Sequence, residues 1–240
     1  MSLLRSDLIK HRRTWVLPLA LLGPFGLVLM GVLDFGLRAE WVPREIERSG
    51  PWLTVMNQMG MLDVAAIALG VALLASMVFD VDHRSHSWKQ LFALPVSRTG
   101  VYLAKILVVM GLLAIASVLA ALGIAGIWVW LDLGAIPWGK LALFAVVPWF
   151  AAFPLVSFQA LLSAHIRNQA VALTAGVAGT VAALFGATLP AWAPWSPPVD
   201  TMTWLVSGKA ALAPSLAYAA LVGVVLSAGG AIAFARRDVM

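Results

Sequence analysis

Residues 80–105 read DVDHRSHSWKQLFALPVSRTGVYLAK, the longest polar break between two long apolar runs of the chain. The stretch carries Asp80, Asp82, Arg84, Lys89, Arg98 and Lys105, with His83 and His86 among them. Its apolar residues Trp88, Leu91 and Phe92 recur at i, i+3 and i+4, the spacing of one helix face. Ser85 or Ser87 can cap the start of that turn, and Pro95 ends it, because the residue before a proline is driven out of the α region. Ser97 then precedes a fresh helical run from Gly100 onward. The pattern predicts a short amphipathic helix across the mouth of two spanning helices. Such a helix either lies in the membrane interface or meets a partner.

The rest of the chain fixes the setting. Of 240 residues, 62% are hydrophobic and 11% charged, against roughly 25% charged in a soluble domain. The expected fold class is therefore an all-α integral membrane protein. A bilayer takes about 20 apolar residues per helix, and six runs are long enough: 15–33, 53–79, 101–130, 140–164, 170–189 and 216–235. No fixed-period repeat and no dividing linker is visible, so residues 1–240 read as one transmembrane domain. The first run lacks a small-residue cleavage site and reads as an uncleaved helix.

Orientation follows from the basic residues. Arg5, Lys10, Arg12, Arg13, Arg84, Lys89, Arg98, Lys105, Arg167, Arg236 and Arg237, eleven in all, fall on one side of the six spans. Arg38, Arg44, Arg48, Lys140 and Lys209, five in all, fall on the other. The excess places both termini and the 80–105 stretch in the cytoplasm. The net charge of +5 thus reads as a topology signal and not as a nucleic-acid signal. Trp41, Trp52, Trp128, Trp130, Trp138, Trp192, Trp195 and Trp204 group at the outer ends, with Trp15 and Trp88 at the inner interface, as an aromatic belt requires. Residues 170–189 carry two rows of small residues four apart, Ala172, Gly176 and Thr180, and Gly179, Ala183 and Ala187, a spacing that lets helices approach closely. Residues 190–214, rich in Pro and Trp, read as broken helices dipping into the outer interface.

Several chemistries are excluded. The chain has no cysteine, so disulfides and thiolate metal sites are ruled out. His83 and His86 are three apart but find no third ligand at metal-site spacing beyond Asp80 and Asp82, so no metal site is expected. Residues Gly134 to Leu141, GAIPWGKL, nearly match a phosphate-binding loop. Leu141 stands where a hydroxyl must hold magnesium, Pro137 removes a backbone donor, and no strand precedes the loop. No nucleotide site and no hydrolase motif is therefore assigned to the chain. Within the spans Asp63 is the one acidic residue that demands an account, because an unpaired carboxylate in a membrane costs several kcal/mol. Two readings stay open. Asp63 either joins Asn57 and Gln58 in a polar patch on a translocation path, or caps a helix at the outer interface and touches no substrate.

The segment SWKQLFALPVSRTGVYLAKIL resembles the one that follows the second membrane helix in ABC-2 type transporter permeases, most closely those of the bacitracin-resistance and lantibiotic-immunity kind. The matching positions are Asp80 or Asp82, Trp88, Leu91 to Leu94, Pro95, Val96, Ser97, Arg98 and Lys105. Where many relatives carry Glu and a Gly-Thr pair, this chain has Asp82 and His86-Ser87. The resemblance implies an ABC-2, type V exporter-like fold of six helices with a coupling helix between the second and third. It also implies contact with an ATPase through Asp80, Asp82, Trp88, Leu91, Phe92, Pro95 and Arg98. Two copies of that ATPase would bind ATP and Mg, two copies of the permease would form the pathway in a bacterial cell membrane, and this chain would hold no cofactor. The implied activity is export of an antimicrobial peptide or other amphipathic compound. The rival reading is a stand-alone membrane protein such as a proton-coupled transporter. Inverted repeats and clustered midplane charges would favour that rival, and the sequence displays neither.

Overall fold

The computed structural model describes residues 16–84, 97–166, 168–184, 190–209 and 211–236, and of 81–84 the backbone. Among them the regular structure is helical throughout. α1 (Val16–Leu37) runs as one helix through Pro24. α2 (Val42–Ser49) is short and amphipathic, with Pro43 in its first turn, where a missing N–H costs nothing. Gly50 ends it at φ 83, a left-handed conformation that glycine adopts without strain, and its N–H bonds Ile46 O at 2.9 Å. α3 (Pro51–Arg84) is a single helix of 34 residues. The alternative start near Asp63 is thereby settled: Asn57, Gln58 and Asp63 all lie inside α3.

α4 (Arg98–Trp130) opens on Ser97, whose hydroxyl accepts from Gly100 N–H at 3.1 Å. The predicted span 140–164 is interrupted. α5 (Trp138–Ala151) and α6 (Phe153–His165) meet at Ala152. Pro154 cannot donate to the ladder, and the Ala152 N–H is shared between Pro148 O and Trp149 O at 3.0 and 3.2 Å. α7 (Gln169–Leu184), α8 (Ser196–Ser207) and α9 (Leu212–Ala235) complete the order.

Five helical segments are long and apolar enough to cross a membrane: Val16–Leu37, Pro51–Asp80, Arg98–Trp130, Trp138–His165 and Leu212–Ala235. α7 is apolar but has 16 residues, roughly 24 Å at the helical rise, short of the ~30 Å hydrocarbon core. Of the six expected spans, the described residues thus supply five long ones and, in α7, a shorter helix within the sixth run, of which 185–189 lie outside the described residues.

Two buried clusters organise the bundle. One joins Val71, Leu74, Phe79, Tyr102, Val109, Leu155 and Phe234. The other joins Phe35, Met56, Met59, Ile124, Phe144 and Leu205. Small residues and buried hydrogen bonds set the helix contacts, as expected where lipid offers no hydrophobic drive between helices. Ser157 on α6 meets Ser227 on α9 at 2.9 Å. The Trp149 indole N–H on α5 donates to Met110 O on α4 at 2.9 Å. The Trp52 indole N–H donates to Leu205 O at 3.1 Å, with Lys140 Nζ 5.2 Å from the Trp52 ring centroid, so α3, α5 and α8 are tied at one end.

Ala172, Gly176 and Thr180 are the buried residues of α7, so the first of the two small-residue rows is its packing face on α3; Gly179 and Ala183 of the second are half-buried, and Ala187 lies outside the described residues. Gln159 on α6 bridges the pair, its amide donating to Ser76 Oγ at 3.2 Å and Ala172 O at 2.8 Å. A Cβ on Gly176 would stand 2.7 Å from Ala72 Cβ and 2.8 Å from Gln159 Oε1. Gly176→Leu is therefore expected to destabilise the purified chain by about 1–3 kcal/mol through overpacking. Gly111→Leu is the contrast, since its Cβ would meet nothing within 4 Å. Thermal midpoints in detergent measure both, and equal shifts would contradict the α3–α7 contact.

Candidate functional site

Two regions carry the polar groups singled out by the sequence. The first is the end of the bundle where α3 stops and α4 begins. Ser97 and Arg98 open α4, and the Arg98 guanidinium donates to Ala235 O at 3.2 Å. Ala235 is the last residue of α9, where carbonyls lack helical partners and attract cations. About two turns further along α4, Lys105 is 1% exposed. Its ammonium donates to Val78 O on α3 at 2.8 Å and lies 5.4 Å from the Phe79 ring centroid. A buried ammonium requires such contacts to offset its lost hydration. The two cations therefore lock the ends of α3, α4 and α9 together around the 80–105 stretch.

Asp80 lies half-buried near the end of α3, and Asp82 belongs to its last turn. Asp80 and Arg98 thus flank the predicted coupling segment from its two sides. Trp88, Leu91, Phe92 and Pro95 lie outside the described residues, as do the side chains of Asp82 and His83 and the whole of His86.

The second region surrounds Asp63. Its side chain is 3% exposed, and its Oδ2 has no hydrogen-bond partner among the described residues. It lines a cavity of about 380 Å³ between α1, α3 and α4. The alternative in which Asp63 caps a helix at the outer interface does not hold: α3 begins at Pro51, twelve residues earlier. Nor does the structure gather the proposed trio. Asn57 and Gln58 sit roughly 120° and 140° around the helix from Asp63. Asn57 is exposed and Gln58 half-buried, and neither lines the cavity. Ser117 on α4 is the other polar residue of the lining.

Beyond these regions, the Ser215 hydroxyl donates to Asp200 Oδ2 at 3.4 Å and links α8 to α9. Partial burial pushes the Asp200 carboxyl above its usual range, and the Ser215 hydrogen bond opposes that shift. Among the described residues no group of three or more His, Asp and Glu stands close enough to hold a metal ion.

Lys105, Gln159 and Ser117 were not selected as site residues from the sequence. Lys105 was visible as a charge inside a spanning run, which is signal enough for attention. Its role needed the position of a backbone carbonyl on another helix. Gln159 and Ser117 carry no comparable signal.

A bundle of long apolar helices whose charges fall mostly at their ends, with Asp63 and Lys105 buried within, is a multi-pass membrane protein. The family model of the ABC-2 family transporter proteins matches residues 3–184. The chain belongs to that family: it is a membrane-embedded transport component of ABC-2 type, a permease. The match includes the 80–105 stretch and α1 through α7. No curated protein matches the chain.

Proposed function

We propose that this chain is the membrane subunit of an ATP-driven exporter in a bacterial cell membrane. Two copies form the pathway, and two copies of a separate ATPase bind ATP and Mg. The family match across 3–184 carries this reading, since ABC-2 membership implies association with an ABC ATPase. The contact with that ATPase is the segment between α3 and α4. Trp88, Leu91 and Phe92 anchor it, with Pro95 following them in sequence, and Asp80, Asp82 and Arg98 supply charge complementarity. Arg98 and Lys105 give the segment a rigid base, through their bonds to Ala235 O and Val78 O. Motion of the segment then passes to α3, α4 and α9 as a rigid-body displacement of packed helices.

The cargo in this reading is an amphipathic compound, with an antimicrobial peptide as the leading case and immunity or resistance as the outcome. Few polar side chains line the described helices, and specificity for a small hydrophilic solute needs several of them. Of the residues considered for the path, Asp63 is retained on the strength of its cavity.

The reading requires both termini and the 80–105 stretch on the cytoplasmic side. Because the chain has no cysteine, single cysteines at Ser2, Ser49, Ser87 and the exposed Ser207 report sidedness. A membrane-impermeant maleimide is expected to label Ser49→Cys and Ser207→Cys in intact cells, and Ser2→Cys and Ser87→Cys only after lysis. Labelling of Ser87→Cys from outside would remove both the orientation and the ATPase contact.

A further inference from the structure

The cavity between α1, α3 and α4 is a slot with chemically unlike ends. Its lining on α3 begins at Asp63 and runs to Leu74, eleven residues or roughly 16 Å along the helix. The slot crosses from one core cluster to the other. Val64, Leu27 and Ala120 belong to the cluster at the Asp63 end. Ala20, Leu74 and Leu113 belong to the cluster at the far end. The carboxyl therefore sits at one end of a lining that is otherwise apolar apart from Ser117. No Lys, Arg or His contributes to that lining, so nothing in it balances a negative charge at Asp63. Leu22, 55% exposed, and the exposed Gly23 border the slot on α1, which leaves it open sideways toward surrounding acyl chains.

We propose that this slot binds a single-chain hydrophobic cation, its head against Asp63 and its chain along the slot toward Leu74. Each feature selects for part of that chemistry. An ionised carboxylate without a partner is costly in a membrane, and a cationic head supplies the missing counter-charge. A bare metal ion is a poor occupant, because hard cations need six or more oxygen ligands and the lining offers one carboxylate and one hydroxyl. An anionic head meets the same charge on Asp63. A neutral chain fills the apolar length but brings no counter-charge to the carboxylate. The volume of about 380 Å³ lies in the range of ordinary small-molecule sites, and the length matches the reach of a dodecyl chain. Binding is the claim, and it holds whether or not the bound cation crosses the membrane. Failure of export leaves it intact, and failure of binding leaves the export reading intact.

The test is native mass spectrometry of the full-length chain released from a non-ionic detergent, titrated with dodecyltrimethylammonium, dodecanol or dodecyl sulfate. One dodecyltrimethylammonium per chain is expected to bind saturably, with neither of the other two binding comparably. Asp63→Asn, which keeps the shape and removes the charge, is expected to lower its affinity at least tenfold. Ala116→Phe, which projects a ring from α4 into the slot and keeps the carboxyl, is expected to lower it similarly. Equal binding of dodecanol by the unaltered chain overturns the proposal without recourse to any variant. Unchanged affinity in a folded Asp63→Asn or Ala116→Phe chain overturns it as well.

Discussion

Replacing Trp88 and Phe92 together with alanine is expected to release the ATPase from the permease and abolish transport, while leaving the helix bundle assembled in the membrane. The two aromatics stand four apart in sequence, so on a helix they present one face. Aromatic anchors of this kind commonly account for about 2 kcal/mol or more each at an interface. Loss of both then amounts to about 4 kcal/mol, close to a thousandfold in Kd, enough to abolish co-purification at ordinary concentrations. The bundle should tolerate the change, because the contacts that hold α3, α4 and α9 at this end come from Arg98 and Lys105. The variant should therefore retain the parent chain's thermal midpoint in detergent. Full co-purification of the ATPase with the double variant would show that the segment rests on lipid and that docking lies elsewhere.

What the sequence made legible follows from what one-dimensional signals contain. Long apolar runs identify helices such as 101–130 and 216–235 directly, because a span needs its apolar residues consecutively. The stripe Ala172, Gly176 and Thr180 was legible for the same reason, since periodicity alone places the three on one face. The break at Ala152 was not, because hydropathy is alike on both sides and Pro148 and Pro154 give two places where the helix could fail. Only the competing carbonyls of Pro148 and Trp149 show which place was used. The polar residues Asn57, Gln58 and Asp63 obscured the start of α3. A helix that buries one of the three and exposes another can carry them all, and burial is a property of neighbouring helices.

The same limit governed the candidate site. Asp63 stood out as an intramembrane carboxyl, but grouping it with Asn57 and Gln58 relied on nearness in sequence. At 100° per residue those three positions point in different directions. The cavity could not be anticipated, since its walls come from α1 and α4 as much as from α3. Lys105 is the converse case. The sequence displayed the charge, but its partner is a backbone carbonyl twenty-seven residues away, and carbonyls leave no trace in residue type.

Transport itself is expected to show the second large effect. An ABC-2 permease has no power stroke of its own in this account, so its output should depend wholly on nucleotide hydrolysis by the separate subunit. The ratio of inhibitory concentrations for a sensitive host expressing this chain with its ATPase, intact or with the catalytic glutamate of that ATPase replaced, measures that dependence. Across a panel of membrane-active peptides, lipophilic drugs and detergents, the account predicts a several-fold rise in resistance to at least one amphipathic peptide with the intact pair. It predicts no rise with the inactive ATPase, although the complex still assembles. Resistance that persists with the inactive ATPase, or with this chain alone, would contradict the claim that the chain is the membrane half of an ATP-driven exporter.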